Sequence, residues 1–297
     1  MGEIWKGAPV AAALCASLTG RISALRAAGV EPALAILRAG ERGDDIAYEN
    51  GAVKRCEKLG IAVRRVRLPA GCTKEEVLKA IRQVNADDGI HGCLLLRPLA
   101  DRAAEEAACE TLLPEKDVDG ITPGSLAGVF AGGGRGYPPC TAQACMEVLD
   151  YYGCDPAGRR AAVIGRSLVI GRPVSMLLQR RNATVTMCHS RTADLPAVCR
   201  QAEILVAAAG QSGLVDAGFL APGQVVLDVG INVGPEGGLQ GDVDFQGAIR
   251  TAGAVTPVPG GVGAVTTAEG RSPDIRHLMS TNFSAPRSAA KPASVTA

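Results

Sequence analysis

A glycine-containing turn near the middle of the chain carries residues suited to binding a phosphate group. It runs from Gly165 through Arg166 and Ser167 to Gly171, between an apolar run predicted as a strand and a stretch predicted as a helix. Glycines at such a turn let the backbone approach a phosphate, and the helix N-terminus supplies N–H donors. Because the spacing is G-x-x-x-x-x-G rather than the dinucleotide-binding G-x-G-x-x-G, a tight packing turn is the alternative.

The end of the next predicted strand indicates which dinucleotide would fit. The strand at 183–189 is followed by Ser190 and Arg191, where NAD sites usually carry an acid for the ribose 2′-hydroxyl. The hydroxyl and guanidinium groups here, together with Arg166, suit a 2′-phosphate instead. The sequence therefore favours NADP over NAD, with a solvated loop as the alternative.

Strands and helices alternate along the chain, and this alternation must position the turn. The predicted strands of the first part are 32–40, 61–69 and 89–99, and its predicted helices are 8–28, 45–59 and 73–87. After a glycine-rich loop at 131–139 and a helix at 141–152, the predicted strands are 161–165, 183–189, 203–210, 225–232 and 254–259. Thr73 and Glu76 form a capping-box pattern. The alternation predicts an α/β fold with parallel sheets and right-handed crossovers.

The composition narrows the classes of function. The chain has 297 residues, a formal net charge of +1 and 3% aromatic residues, which argues against nucleic acid as a partner. Residues 8–19 are interpreted as an amphipathic first helix rather than a signal peptide, and no membrane is expected as a partner. The ten cysteines form no CxxC pair, which predicts a reducing cytoplasm and no metal site. Residues 284–297 are predicted to be a disordered tail.

Six short motifs in a fixed order give the chain a resemblance to a known family. They are 116–120 (KDVDG), 139–141 (PCT), 165–173 (GRSLVIGRP), 228–232 (DVGIN), 241–243 (GDV) and 256–263 (TPVPGGVG). From about residue 4 to 268 the chain resembles the bifunctional methylenetetrahydrofolate dehydrogenase/cyclohydrolase proteins of the FolD type. The resemblance implies a two-domain homodimer. Its folate-binding catalytic domain would cover 1–140, with 268–283 as a candidate addition, and its Rossmann-like NADP-binding domain would cover 141–267.

The resemblance also implies two reactions at one cleft. A hydride passes from methylenetetrahydrofolate to the nicotinamide of NADP, and water then opens the resulting methenyl cation to formyltetrahydrofolate. By the same resemblance Tyr48 and Asp119 are catalytic and contact the tetrahydrofolate substrate, with Asp119 holding the pterin. The other residues implied for the substrate are Pro259, Gly260 and Gly261, and those implied for the cofactor are Gly165, Arg166, Ser167, Gly171, Ser190, Arg191 and Ile231.

Four positions depart from the pattern of that family: Ala264 stands where the family has Pro, and the other three bear on catalysis. The family carries Lys four residues after the tyrosine and Gln in a strand, where this chain has Ala52 and Leu96, and it carries Ser where this chain has Asp45. We expect Asp45 to cap the helix, and to share the face of Tyr48 only if the helix starts earlier than predicted. Lys54 follows about 240° round the helix from Tyr48 and is expected to point away.

These departures predict unequal loss of the two reactions. Hydride transfer requires alignment of the donor carbon with the nicotinamide. Hydration of the cation requires an activated water molecule. General acid–base catalysis typically raises the rate of such a step by about 10²–10⁴-fold. We therefore expect a dehydrogenase whose cyclohydrolase activity is weak or lost. Two alternatives stay open: an intact bifunctional enzyme that activates water with another group, and a non-catalytic paralogue that binds folate or nucleotide.

Overall fold

Two parallel sheets organise the protein, whose computed structural model describes residues 1–234 and 237–266. The first half contains β1 (Glu3–Ile4), α1 (Gly7–Ala27), β2 (Ala33–Ala39), α2 (Gly43–Leu59), β3 (Ala62–Leu68), α3 (Lys74–Ala86), β4 (Gly92–Leu95), α4 (Arg102–Thr111) and α5 (Pro123–Ala131). The second half contains α6 (Cys140–Tyr151), β5 (Arg160–Ile164), α7 (Gly171–Arg180), β6 (Thr184–Cys188), α8 (Leu195–Arg200), β7 (Ile204–Ala207), β8 (Val225–Asp228), β9 (Asn232–Val233), β10 (Leu239–Gln240), α9 (Phe245–Thr251), β11 (Ala254–Val255) and α10 (Val262–Thr266). The predicted two-domain α/β fold is confirmed. The expectations for 268–283 and for the tail at 284–297 lie outside the described residues.

The first sheet has three parallel strands in the order β3-β2-β4. Its central strand β2 is buried on both faces. Leu34 and Ile36 pack with Leu18 of α1 and with residues of α2, while Ala35 and Leu37 pack on the opposite side with residues of α3 and α4. Burial of this kind explains why the strand reads as a continuous apolar run rather than as an alternating one.

The second sheet has six parallel strands in the order β1-β11-β8-β7-β5-β6, and β9 pairs with β10 in a separate antiparallel hairpin. Its edge strand β1 was not predicted. Glu3 pairs with Ala254 and Ile4 pairs with Val255, so the first residues of the chain belong to the sheet of the second domain. A strand of two residues has no periodicity to recognise, because its pairing depends on residues at the other end of the chain.

Four predicted strands end three or four residues earlier than expected: those at 89–99 and 203–210 stop at Leu95 and Ala207, and two more belong to one edge of the second sheet. The strand predicted at 254–259 stops at Val255, because Pro257 and Pro259 have no N–H group to donate to a neighbouring strand. The strand predicted at 225–232 ends at Asp228. Both strands therefore give way to loops at the carboxyl edge of the second sheet.

The first long helix, α1, links the two domains. It has the length and mean hydropathy to cross a membrane, a test that the core helix of a globular protein also passes. Val10 is buried in a core cluster of the second domain, whereas Leu18 and Ile22 are buried in a cluster of the first. Its apolar composition is thus accounted for in part by packing against both domains.

Candidate active site

A cavity of about 450 Å³ lies at the carboxyl end of β4, beside the first turns of α2. We call it the first cavity. It is lined by Arg42, Asp44, Asp45, Tyr48, Leu94, Leu95, Leu96, Arg97 and Asp119. The fold thus brings together Tyr48 and Asp119, the two residues predicted to be catalytic, although they are far apart in the sequence.

The position of Tyr48 is set by its neighbour Glu49, which anchors α2 to the first sheet. The Glu49 side chain is almost fully buried and accepts from Arg38 Nε at 2.7 Å and Arg67 Nη2 at 2.9 Å. Arg65 Nε lies 3.3 Å from the same carboxylate. Burial raises the pKa of Glu49, but hydrogen bonds from Arg38 and Arg67 outweigh it and hold the pKa below its ordinary value. This charged network fixes how α2 is rotated over the sheet.

Asp119 is presented to the first cavity by a loop that Asp117 stabilises. The Asp117 carboxylate is fully buried and accepts from Ile121 N at 3.1 Å, Thr122 N at 2.7 Å and Ser125 Oγ at 2.7 Å. Asp117 therefore takes the structural role in this motif, while Asp119 remains partly exposed in the cavity wall.

Asp45 lies inside the first turn of α2, so the predicted capping role is wrong. The helix begins at Gly43 rather than at residue 45, and its N-cap residue is Arg42. The Asp45 carboxylate pairs with the Arg42 guanidinium, with Nε 3.2 Å from Oδ2. Because Asp45 precedes Tyr48 by one turn, both line the first cavity. Asp45 is an ionisable group of the cavity that was not among the predicted site residues.

Ala52 and Leu96 place apolar groups where the resembled family has an amine and an amide. Ala52 is fully buried and Leu96 is 6% exposed, and both belong to one apolar cluster that includes Leu94 and borders Tyr48. Lys54 lines a different cavity, as its direction on α2 predicts. The described lining of the first cavity therefore contains arginines and carboxylates but no lysine.

A second cavity, of about 800 Å³, lies between α1, the second half of α2 and the loops that follow β8 and β11. It contains Pro259, Gly260 and Gly261, which were predicted to contact the substrate, and Ile231, which was predicted to contact the cofactor. Lys54 stands on its α2 wall. The structure thus divides the predicted substrate residues between two cavities that lie along the same helix.

The predicted phosphate turn joins β5 to α7 and needs both of its glycines. Gly165 has a φ of +126°, and a side chain there would collide with the carbonyl of Ala208. A side chain at Gly171 would collide with the carbonyl of Gly165. Ser167 Oγ accepts from Ile170 N at 3.1 Å. Packing alone accounts for the glycines. The α7 N-terminus and the exposed Arg166 are the groups at this turn that are available to an anion.

Ser190 and Arg191 lie next to this turn because β5 and β6 are neighbouring parallel strands. Ile164 at the end of β5 pairs with Cys188 at the end of β6, so the loops that follow both strands leave the same edge of the sheet. The loop after β6 is ordered by His189 N, which donates to Thr192 Oγ1 at 2.9 Å. The exposed side chains that were predicted to bind a 2′-phosphate therefore lie at the carboxyl edge of the second sheet; they are Arg166, Ser190 and Arg191.

Two buried carboxylates that the sequence analysis did not assign hold the remaining loops at that edge. Asp242 accepts from the backbone N–H groups of Ala209, Gly210 and Gln211 at 2.6–2.9 Å. Asp228 accepts from Asp242 N at 3.0 Å, and burial raises the Asp228 pKa to about 7. Among residues 1–234 and 237–266, no group of three or more His, Cys, Asp or Glu side chains is arranged to hold a metal ion.

Comparison with known families divides the chain as the fold does. Residues 5–119 match the model of the tetrahydrofolate dehydrogenase/cyclohydrolase catalytic domain, and residues 139–269 match the NAD(P)-binding domain of the same family. The bifunctional protein FolD of Alkaliphilus oremlandii is 45% identical over 90% of this chain and 94% of its own length. FolD of Carboxydothermus hydrogenoformans is 48% identical over the same shares.

Solved structures show the same similarity. The bifunctional enzyme FolD of Campylobacter jejuni has a TM-score of 0.86 and 33% identity, covering 94% of this chain and 96% of that one. The Trypanosoma brucei methylenetetrahydrofolate dehydrogenase-cyclohydrolase, solved as a complex with NADP cofactor and inhibitor, has a TM-score of 0.81 and 33% identity, covering 94% and 95%.

Proposed function

Because the chain belongs to the tetrahydrofolate dehydrogenase/cyclohydrolase family, we propose that it oxidises 5,10-methylenetetrahydrofolate to 5,10-methenyltetrahydrofolate with NADP. We propose further that its cyclohydrolase activity, the hydration of that product to 10-formyltetrahydrofolate, is weak or lost. The observation that carries the proposal is the first cavity, which keeps Tyr48 and Asp119 but has Leu96 in its wall and Ala52 buried behind it.

The first cavity suits the pterin end of the substrate. Asp119 offers carboxylate oxygens to the amino and ring N–H groups of the pterin, and charge-assisted hydrogen bonds of this kind are worth about 1.5–3 kcal/mol. Tyr48 adds an aromatic face and a hydroxyl beside it. In this proposal Pro259, Gly260 and Gly261 contact the part of the substrate that extends into the second cavity.

The carboxyl edge of the second sheet suits NADP. Gly165, Ser167 and Gly171 shape the turn that would take the pyrophosphate, and Ile231 lines the second cavity, after β8 of the same sheet. Arg166, Ser190 and Arg191 would hold the 2′-phosphate, because a guanidinium can donate two parallel hydrogen bonds to phosphate oxygens. When bound, NADP accepts the hydride from the methylene carbon of the substrate.

The two reactions differ in what they require from the side chains. The folate nitrogens stabilise the methenyl cation, so hydride transfer needs alignment but no general base. Hydration needs a group that positions water and accepts its proton. Ala52 has no such group, the Leu96 side chain cannot hydrogen-bond, and a lone phenol such as that of Tyr48 is a poorer general base than the missing amine.

Asp45 supports a second candidate, an intact bifunctional enzyme. Its carboxylate lies in the first cavity with Tyr48, and Arg42 holds it from the other side. A carboxylate can accept a proton from water. It could therefore take over the role of the Lys and Gln that the family carries where this chain has Ala52 and Leu96. The 45% identity to a protein named bifunctional FolD also favours this candidate.

A purified-protein assay separates the candidates. NADPH formation from methylenetetrahydrofolate and decay of methenyltetrahydrofolate are followed separately. We expect NADPH to form while methenyl decay is the same with and without protein. Enzyme-dependent decay would instead support the bifunctional candidate, and absence of NADPH formation would support a binding protein without turnover.

We also propose domain boundaries, an oligomeric state and a location in the cell, all on the basis of the family membership. The folate-binding domain covers 1–140, except that β1 pairs in the second sheet, and the NADP-binding domain covers 141–267, a division that the matched ranges support. We also propose a cytoplasmic homodimer, which size-exclusion chromatography with light scattering tests directly. A monomer at micromolar concentration would contradict it.

A further inference from the structure

Asp242 ties together two loops that leave the carboxyl edge of the second sheet. Its carboxylate is fully buried and accepts from the N–H groups of three successive residues, 209–211, at 2.6–2.9 Å. These residues follow β7. The same carboxylate accepts from Asn232 Nδ2 at 2.9 Å, and Asn232 lies beyond the end of β8. One side chain therefore fixes the loop after β7 relative to the loop after β8.

The Asp242 carboxylate is itself held in one position. Asp228, which is only 2% exposed, accepts from Asp242 N and from Val243 N, each at 3.0 Å. A side chain at Gly230 would collide with the Asp242 carboxylate, so the backbone after β8 packs directly against it. A change at Asp242 would therefore be transmitted to both loops.

The loop after β7 depends on hydrogen bonds rather than on apolar packing for its position. Residues 209–213 are exposed, so the hydrophobic core does not fix them. Just before them, the carbonyl of Ala208 packs so closely against Gly165 that a side chain there would collide with it. The loop that Asp242 holds is thus in direct contact with the turn proposed to take the pyrophosphate.

The two loops lie where one half of a dinucleotide would extend. The strand order β6-β5-β7-β8 reverses between β5 and β7, and dinucleotides bind across parallel sheets at such a reversal. The groups proposed for the 2′-phosphate follow β5 and β6, on one side of this point. The half of NADP that carries the nicotinamide would therefore extend over the loops after β7 and β8, where Ile231 lines the second cavity.

We propose that Asp242 is a positioning residue for hydride transfer, because it holds the two loops beside which the nicotinamide end of NADP would lie. The inference rests on the proposed function, since it takes the reaction to be a hydride transfer to NADP. Such a reaction depends on alignment of the donor carbon with the nicotinamide, and a misplacement of about 1 Å can cost about 10²-fold in rate. Asp242 is fully buried and acts only through the backbone and Asn232.

The first test is nucleotide binding by an Asp242→Asn variant of the full-length protein. The amide keeps one acceptor oxygen but turns N–H donors towards groups that are themselves donors, which loosens the loops with little change in size. Titration calorimetry compares NADP with adenosine 2′,5′-bisphosphate, which lacks the nicotinamide half. We expect NADP to bind about fivefold more weakly, as for the loss of about one hydrogen-bonded contact, and adenosine 2′,5′-bisphosphate to bind as it does to the unmodified protein.

Steady-state kinetics provide a second readout of the same variant. At saturating concentrations of both substrates, kcat should fall about ten- to a hundredfold because alignment is lost. The affinity for tetrahydrofolate, whose pterin end we place in the first cavity, should be unchanged. A side chain that only stabilised the fold would alter neither kcat of the folded protein nor the ratio of the two nucleotide affinities, so an unchanged kcat or an unchanged ratio overturns the proposal.

Two further variants complete the comparison. Asp155→Asn removes the same charge from a carboxylate that accepts from Ala157 N at 3.1 Å, in the loop that precedes β5 at the opposite edge of the sheet. It should match the unmodified protein in both readouts. Asn232→Ala removes the link to the loop after β8 at a half-exposed position and should lower kcat about threefold, as for one lost hydrogen bond. If urea unfolding shows that Asp242→Asn does not fold, an unchanged kcat in Asn232→Ala overturns the proposal.

The readouts also separate this inference from the proposed function. If the unmodified protein forms NADPH and Asp242→Asn keeps its kcat, the dehydrogenase proposal stands and the positioning role fails. If the unmodified protein binds NADP but forms no NADPH, the dehydrogenase proposal fails, and the ratio of nucleotide affinities still decides whether Asp242 positions the loops for the cofactor. If NADP does not bind, both fail.

Discussion

Asp45 lies one helical turn before Tyr48 on α2, and both side chains line the first cavity. The arrangement depends on where the helix begins, because a start at residue 45 would have left Asp45 outside the helix as a cap. With the start at Gly43, the carboxylate lines the cavity that we propose for the pterin end of the substrate, where the reaction would form a cation. A negative charge at that place stabilises a cationic product more than a neutral substrate.

We therefore predict that Asp45→Asn weakens binding of cationic methenyltetrahydrofolate about fivefold and weakens tetrahydrofolate less, as expected for one solvent-accessible charge pair worth about 1 kcal/mol. The matched control is Glu57→Gln, which removes the same charge from α2 outside both cavities. Calorimetric titration of both ligands checks the difference. An equal loss for both would show that Asp45 acts by shape and not by charge.

Asp119→Ala should weaken tetrahydrofolate binding at least tenfold while NADP binding is unchanged, because we propose that the Asp119 carboxylate holds the pterin while Asp117 supports the loop. The informative comparison is Asp117→Ala, which removes a buried carboxylate with three hydrogen bonds. That variant should lose stability by about 3 kcal/mol or more, since buried donors are left without an acceptor. Loss of NADP binding in Asp119→Ala would indicate misfolding and contradict the assigned role.

Arg166→Ala should lower the ratio of kcat/KM for NADP to that for NAD at least tenfold, because one guanidinium contact to the 2′-phosphate is lost. Arg180→Ala serves as the control, since Arg180 is exposed at the far end of α7. Steady-state kinetics with both cofactors give the ratio. A preference for NAD in the unmodified protein would contradict the assignment of NADP, and an unchanged ratio in Arg166→Ala would remove Arg166 as its cause.

Features carried by local sequence were predictable, and those that depend on distant partners were not. The capping box at Thr73 is an example of the first kind, because Thr73 and Glu76 satisfy each other: Thr73 N donates to Glu76 Oε2 at 2.7 Å and Glu76 N donates to Thr73 Oγ1 at 3.3 Å. The start of α2 is an example of the second kind. Its N-cap residue Arg42 makes no capping hydrogen bond through its side chain, so the sequence contained no signal for it.

The buried Glu49 could not be recognised for the same reason. A glutamate in a charged helix reads as solvent-exposed, and only the parallel pairing of β2 with β3 brings Arg38, Arg65 and Arg67 around it. The division of the substrate residues between two cavities is also a tertiary feature, because it depends on where α1 lies beside α2. Motif resemblance predicted residues that line the two cavities, but it did not predict that they would be divided between them.

The Glu49 network predicts how stability depends on pH. Its folded-state pKa lies below the ordinary value of 4.5, so its contribution is present above that value and is lost as pH falls through the folded-state pKa. Glu49→Gln leaves the buried Arg38 without its counter-charge and should cost about 3–5 kcal/mol at neutral pH. The difference from the unmodified protein should shrink below pH 4.5.

Urea unfolding at neutral pH and at low pH measures both effects. Glu75→Gln is the control, because Glu75 forms an exposed pair with Arg82 at 3.9 Å and surface pairs of this kind contribute about 0–1 kcal/mol. A Glu49→Gln penalty that stays constant with pH would contradict the charged role.

Introducing lysine at position 52 and glutamine at position 96 is the most direct test of the proposed loss of cyclohydrolase activity. Ala52 and Leu96 lie in one apolar cluster with Leu94, and the cluster borders Tyr48. Ala52→Lys alone buries an amine among apolar side chains, and Leu96→Gln alone buries an amide without a partner, so each single change should destabilise the protein. Together the amide can accept from the amine, and the double variant should be more stable than the sum of the single effects predicts.

We expect the double variant to hydrate methenyltetrahydrofolate at least tenfold faster than either single variant, because only the supported amine is positioned to assist the water. Methenyl decay and urea unfolding are both measured for the unmodified protein, the two single variants and the double variant. The unfolding data separate a variant that fails to fold from one that folds but fails to catalyse. Rapid enzyme-dependent hydration by the unmodified protein would refute the loss. The single variant Asp45→Asn of the otherwise unmodified protein would then show whether the Asp45 carboxylate has replaced the lysine amine of the family.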